Sequence, residues 1–197
     1  MYYKKDFRYQ DADFYGEYNE KMSKARDWLA DWQNKTNNLF ICGSVGCGKT
    51  YLIMAFLNEL SKNADFIPPY GKNPGFWDLE GVEYIVSKKL FDTMKRKFST
   101  NSQTASEARD DIYKFNNTKL LIIDEFGLGY DTESEQIELT ELLDYRWKKG
   151  LPTVFVSNLG MKALGEYLKD RARQRAFDDA NYVEIKDSTM RKKPKEL

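Results

Sequence analysis

Apolar and polar positions alternate along this chain in two rhythms. From Glu17 to Gln33, Met22, Ala25, Trp28, Leu29 and Trp32 recur at helical spacing and predict an amphipathic helix. After a polar turn at Asn34 to Asn38, Leu39 to Cys42 is a short apolar run ending in glycine, the signature of a buried parallel strand. Lys49 to Ser61 is apolar on most faces and predicts a helix packed between a sheet and its neighbours. Asp65 to Glu83 holds Pro68, Pro69, Gly71, Pro74, Gly75 and Gly81, which predicts a loop or insertion rather than a regular element. Val82 to Val86 reads as a strand, with Ser87 capping a helix that runs to about Phe98. A polar stretch, Ser99 to Ser106, precedes a helix over Glu107 to Phe115 and a strand over Lys119 to Asp124. Glu133 to Lys149 is a helix closed by Gly150; Thr153 to Ser157 is a strand, Lys162 to Ala176 a helix, and Tyr182 to Ile185 a last strand before a charged tail. Strands alternating with helices imply an α/β fold: a mainly parallel five-stranded sheet covered on both faces, in three layers.

The junction between the first strand and the helix after it reads Gly43-Ser44-Val45-Gly46-Cys47-Gly48-Lys49-Thr50, which fits G-x-x-x-x-G-K-[ST] without departure. Glycines let backbone N–H groups turn inward around phosphates, the helix N-terminus adds its dipole, Lys49 reaches the outer phosphates and Thr50 offers its hydroxyl to Mg²⁺. With Tyr51 at the start of the helix, these residues are the expected ATP contacts. Leu120 to Ile123 then deliver two acids, Asp124 and Glu125, at a strand's carboxyl end, where open parallel sheets place their ligands. Asp124 is expected to hold Mg²⁺, directly or through water, and Glu125 to polarise the water that attacks the γ-phosphate. A third strand ends at Ser157-Asn158; Asn158 can reach the same water or serve only as a turn residue.

Charge and composition remove other chemistries. Thirty-one basic residues balance thirty-one acidic ones, so no bulk field draws nucleic acid or lipid. DNA binding would need a local patch, either Lys88, Lys89, Lys95, Arg96 and Lys97 or Arg171, Arg173, Arg175, Arg191, Lys192, Lys193 and Lys195; a solvated helix face and a basic tail are the alternatives. Histidine is absent, which excludes histidine-based triads and metal sites and leaves acid–base work to carboxylates. Cys42 and Cys47 cannot build a disulfide framework or a zinc site and read as reduced thiols. No apolar run is long enough for a membrane helix, and the amino terminus does not read as a secretory signal, so the expected location is the cytoplasm.

The order of glycine loop, Asp-Glu strand, Ser-Asn strand and arginine-bearing helix resembles the AAA+ ATPases. LFICGSVGCGKTYLIMAFLNEL, LLIIDEFG, the Arg146 helix with LPTVFVSNL after it, and LGEYLKDRARQRA followed by STMR together resemble the bacterial and phage replicative helicase loaders of the DnaC and DnaI type, with their IstB-like relatives. The resemblance covers about residues 20 to 193, which divides the chain into a lead-in segment (1–38), an ATPase domain (39–193) and a charged tail (194–197). It implies that Asn158 is sensor 1, that Arg171 in Lys169-Asp170-Arg171 is an arginine finger acting on a neighbouring subunit, and that Arg191 after Ser188-Thr189-Met190 is sensor 2. It further implies self-association into a ring or spiral and, as partners, single-stranded DNA and a replicative helicase. Loaders of this family carry a separate amino-terminal domain that grips the helicase, and about 38 residues precede the first strand here, which leaves helicase docking open. On the catalytic motifs alone, a transposition-helper ATPase on duplex DNA, a nucleotide-gated protein-binding module and a helicase antagonist that mimics a loader remain alternatives.

Overall fold

The computed structural model describes residues 9–68, 76–79, 81–128 and 132–185. Strands β1 (Leu39–Gly43), β4 (Val82–Val86), β5 (Leu120–Asp124), β6 (Thr153–Ser157) and β7 (Asn181–Ile185) form one five-stranded sheet in the order β4-β5-β6-β1-β7. Every neighbouring pair in it is parallel. A separate antiparallel pair, β2 (Asp65–Ile67) and β3 (Phe76–Asp78), stands apart from it.

Strand side chains alternate between two cores, the arrangement a sheet buried on both faces demands. On one face Leu39, Ile41, Ile122, Val154 and Val183 join Met22, Ala25, Trp28 and Leu29 of α1 (Glu20–Ala30) and Leu52, Ile53 and Phe56 of α2 (Lys49–Ser61). On the other, Phe40, Ile85, Leu121, Ile123 and Phe155 meet α3 (Ser87–Arg96), α4 (Ser102–Asn117) and α5 (Glu133–Lys148). The same face also receives α6 (Met161–Tyr167) and α7 (Asp170–Phe177). Phe40 stacks on Phe155 with ring centroids 4.5 Å apart, which welds β1 to β6.

The ends of strands opposite the cleft are tied by two polar side chains, half-buried Asn38 and buried Arg146. Asn38 accepts from Thr153 N–H at 2.8 Å and donates to Ala176 O at 2.9 Å, joining the start of β1 to β6 and α7. The guanidinium of Arg146, 1% exposed, donates to Thr153 Oγ1 (3.0 Å), Phe115 O (2.7 Å), Thr118 O (2.9 Å) and Pro152 O (2.6 Å). Burial lowers its pKa to about 9, so it remains a cation at neutral pH. It satisfies three carbonyls, two at the end of α4 and just after it and one before β6, together with the Thr153 hydroxyl.

Four expectations about elements need correction. The stretch from Asp65 contains the β2–β3 hairpin, in which Phe66 packs on Trp77 (5.1 Å) despite the surrounding prolines and glycines. Ser87 is the first residue of α3 rather than its cap; extended Val86 occupies the cap position. α4 starts at Ser102, well before Glu107, because the Asn101 side chain accepts from Thr104 N–H at 3.0 Å and nucleates the helix inside the polar stretch. The single helix expected over Lys162 to Ala176 is two: Leu168 and Lys169 are extended, Leu168 is buried in the core, and Gln136 Nε2 donates to Tyr167 O at the end of α6.

Candidate nucleotide-binding site

β1, β5 and β6 are adjacent and end at the same edge of the sheet, so the turns that follow them converge. After β1 the chain turns at Gly43, Gly46 (φ 85°) and Gly48 (φ 98°). A Cβ on Gly43 would lie 2.3 Å from the Ile185 carbonyl oxygen, so only glycine lets the loop leave the sheet here. Gly48 caps α2 in the left-handed conformation and brings no side chain to its free N–H groups, which are left to bind an anion. The Lys49 ammonium, 6% exposed, is held over the loop by the carbonyls of Gly43 and Ser44, both at 2.8 Å. Cys47 Sγ lies 3.6 Å from it; both cysteines are free and buried, and burial pushes the Cys42 thiol up to about 12.

Asp124 is buried at the end of β5 and accepts from three donors. Thr50 Oγ1 donates to Oδ2 at 3.2 Å, the Tyr84 hydroxyl donates to the same oxygen at 3.0 Å, and the Glu125 N–H donates to Oδ1 at 2.8 Å. Burial first, and then the Asp124 charge, push the Tyr84 phenol well above its ordinary range, so it stays protonated and donates. Glu125 has φ 56°, an unfavourable conformation for a residue with a Cβ, and its exposed side chain lines the cleft. The chain beyond it is anchored: Phe126 N–H donates to Val156 O (2.8 Å) and Ser157 Oγ donates to Phe126 O (2.6 Å). That couples the end of β5 to the end of β6, where Asn158 is exposed.

Together these residues line one cleft of about 450 Å³, with Val45, Gly46, Gly48, Lys49, Thr50, Tyr51, Asp124, Glu125 and Asn158 in its wall. Tyr9, Tyr84 and Val86 line it as well and were not legible as site residues. Tyr84 lies inside an apolar strand that reads as core, and only the register of β4 on β5, which sets Tyr84 beside Ile122, aims its hydroxyl at Asp124. Tyr9 arrives because the Asn58 side chain donates to its carbonyl at 2.7 Å and its ring meets that of Tyr51 edge-on at 6.5 Å.

Of the other expected site residues that the structure describes, Gly43, Ser44, Cys47 and Arg171 are not among those lining the cleft. Arg171, on α7, is bound to Asp144 of α5, with Nη2 donating to Oδ2 at 2.9 Å. Arg191 lies outside the described residues, as do Lys192, Lys193 and Lys195 of the second basic patch. The first basic patch is largely neutralised: Lys95 pairs with Glu135 (2.9 Å), Lys97 with Glu138, and Arg96 with Asp111 (3.9 Å). Lys88 and Lys89 are exposed. Phe91 is buried in the core, whereas Phe98 is exposed with the Lys97 ammonium 4.8 Å over its ring.

No family model matches the chain. The replicative helicase loader DnaC of Escherichia coli K12 is 27% identical over 156 residues, 77% of this chain and 56% of that protein. A crystal structure of the DnaC helicase loader superposes with a TM-score of 0.67 at 16% identity, covering 91% of this chain and 99% of that one. AMPPCP-bound DnaA from Aquifex aeolicus superposes with the same TM-score of 0.67 at 20% identity, covering 91% of this chain and 51% of that one. The chain spans just over half the length of the curated relatives it matches. The fold is that of the AAA+ P-loop ATPases, as the motif order predicts. Within that class the likeness is to the DnaC-type helicase loaders, the family whose motifs the sequence resembles.

Proposed function

We propose that this chain binds ATP in the cleft at the ends of β1, β5 and β6, hydrolyses it, and works as a helicase-loader-like replication factor on single-stranded DNA with a replicative helicase. The observation that carries the reading is the meeting of two motifs 74 residues apart, with Thr50 Oγ1 3.2 Å from Asp124 Oδ2. A hydroxyl and a carboxylate are hard oxygen donors of the kind Mg²⁺ takes. Mg²⁺ so held would neutralise phosphate charge.

On this reading the α2 N-terminus and the glycine-loop amides cradle the phosphates. Lys49 exchanges its loop carbonyls for phosphate oxygens. Glu125 orients the attacking water and takes its proton, and Asn158 fixes that water from the β6 side. Arg171 acts on the nucleotide of a neighbouring protomer in a ring or spiral, which agrees with its pairing to Asp144 outside the wall of its own cleft. Arg191 contacts the nucleotide as sensor 2. Lys88, Lys89 and the exposed Phe98 offer charge and a stacking face to single-stranded DNA.

Fluorescence anisotropy with labelled single-stranded and duplex DNA, with ATP, with ADP and without nucleotide, tests the reading. Assembly on single strands with ATP alone is the expected result. Preference for duplex would transfer the protein to the transposition-helper class, and failure to bind either would leave a protein-only adaptor.

A further inference from the structure

The nucleotide site contains a side chain that no motif supplies. Tyr84 stands on β4, next to the Asp124 strand, and its hydroxyl reaches Asp124 Oδ2 at 3.0 Å, the oxygen that also accepts from Thr50 Oγ1 at 3.2 Å. A carboxylate only accepts, so both hydroxyls direct their protons at Asp124. The Thr50 oxygen, in the cleft wall, thereby keeps its acceptor capacity for another partner. With the Glu125 N–H on Oδ1 at 2.8 Å, the carboxylate is held by three donors from three segments: β4, the first turn of α2 and the turn after β5. Asp124 is 3% exposed, so bulk water is a poor substitute for a lost donor.

We infer that Tyr84 is a positioning residue for the divalent cation of this site, acting through Asp124 to set how tightly the metal is held. The inference rests on the reading of Thr50 and Asp124 as the metal-holding pair. Partners that orient ligating carboxylates typically change metal affinity by about 10- to 100-fold when removed, and a change at the lower end is expected for one of three donors. Tyr84→Phe keeps the ring, which packs against the α1–α2 side of the sheet, and removes only the hydroxyl.

The test is a titration of Mg²⁺, and separately Mn²⁺, into full-length protein with a fluorescent ATP analogue, read as nucleotide binding rather than turnover, with a control series in EDTA. Tyr84→Phe is expected to raise the half-saturating cation concentration about tenfold while leaving metal-free nucleotide binding unchanged and lowering the thermal midpoint by only about 2–4 °C, the cost of one donor lost to a buried carboxylate. The same substitution in an Asp124→Asn background is expected to add nothing, because the phenol acts through that carboxylate. An unchanged cation titration, an equal loss of metal-free binding, or full additivity with Asp124→Asn each overturns the role of Tyr84. Wild-type protein that binds the analogue with no dependence on the cation would overturn the metal-site reading itself, a distinguishable outcome.

Discussion

Arg171 is held by Asp144, not by the nucleotide cleft: its guanidinium donates to Oδ2 at 2.9 Å, while Arg175 Nε donates to Oδ1 at 3.0 Å and Lys148 approaches Oδ2 at 2.7 Å. Three cations on two helices share one carboxylate, and the Arg171 side chain is still 62% exposed. Such an arginine can leave its partner without unpacking either helix. If it reaches a neighbour's γ-phosphate, Arg171→Ala should lower ATPase activity of the assembled protein by about a thousandfold while nucleotide binding persists. Mixing it with Lys49→Ala protein should then restore part of the turnover, because one protomer retains the finger and the other the loop. Mixtures no more active than their components would exclude action in trans.

The cations around Asp144, Lys148 first and then Arg175, hold its carboxyl well below the usual carboxylate range. A depressed folded-state pKa contributes stability that is present above the unfolded pKa, near 4, and lost as pH falls through the folded value. Urea denaturation of wild type and Asp144→Asn should differ by a constant amount between pH 7 and about 5, and the difference should shrink as the pH drops below about 4. A difference that grew on acidification would contradict this.

Arg146 is the largest fully buried side chain among the described residues, and its guanidinium donates to three carbonyls and a hydroxyl. Arg146→Met fills much of the volume but strands the acceptors that have no other donor, at a cost of about 1–3 kcal/mol for each. We expect a total loss of about 3–5 kcal/mol and a fall in Tm of about 10 °C, read by calorimetry. Arg146→Lys should recover only part of it, since one ammonium cannot span the fork.

Within the cleft, Lys49→Ala should abolish nucleotide binding, because among the described residues that line the cleft Lys49 is the one cationic side chain. Glu125→Gln should keep binding and lose about 10²- to 10⁴-fold in turnover, trapping ATP. Equilibrium binding alongside steady-state phosphate release separates the two variants, and normal turnover in Glu125→Gln would remove its assignment as the base.

The local elements were legible where residue chemistry acts over a few positions. The limits of α2, the apolar runs of β4 to β6 and the glycine loop follow from periodicity and from backbone freedom, and the structure places them where the sequence does. The misreadings have two causes. The break at Leu168 and Phe66 on Trp77 in a proline-rich segment depend on contacts outside the window in which propensity operates, whereas the Asn101 cap acts over three residues and was masked by the polar stretch around it.

By itself the sequence determined the α/β class, the parallel sheet and the identity of the residues at the glycine loop and the Asp-Glu strand end, because buried strands must be apolar on both faces and a turn with positive φ and no room for a Cβ must be glycine. Tertiary structure alone decided that Thr50 and Asp124 meet, that Tyr84 joins them, that Arg171 is held at Asp144, and that acids from α4 and α5 neutralise most of the basic run in and just after α3. Those relationships are set by the order of strands in the sheet and the register between them, and pairing between distant segments leaves no periodic trace in any one of them.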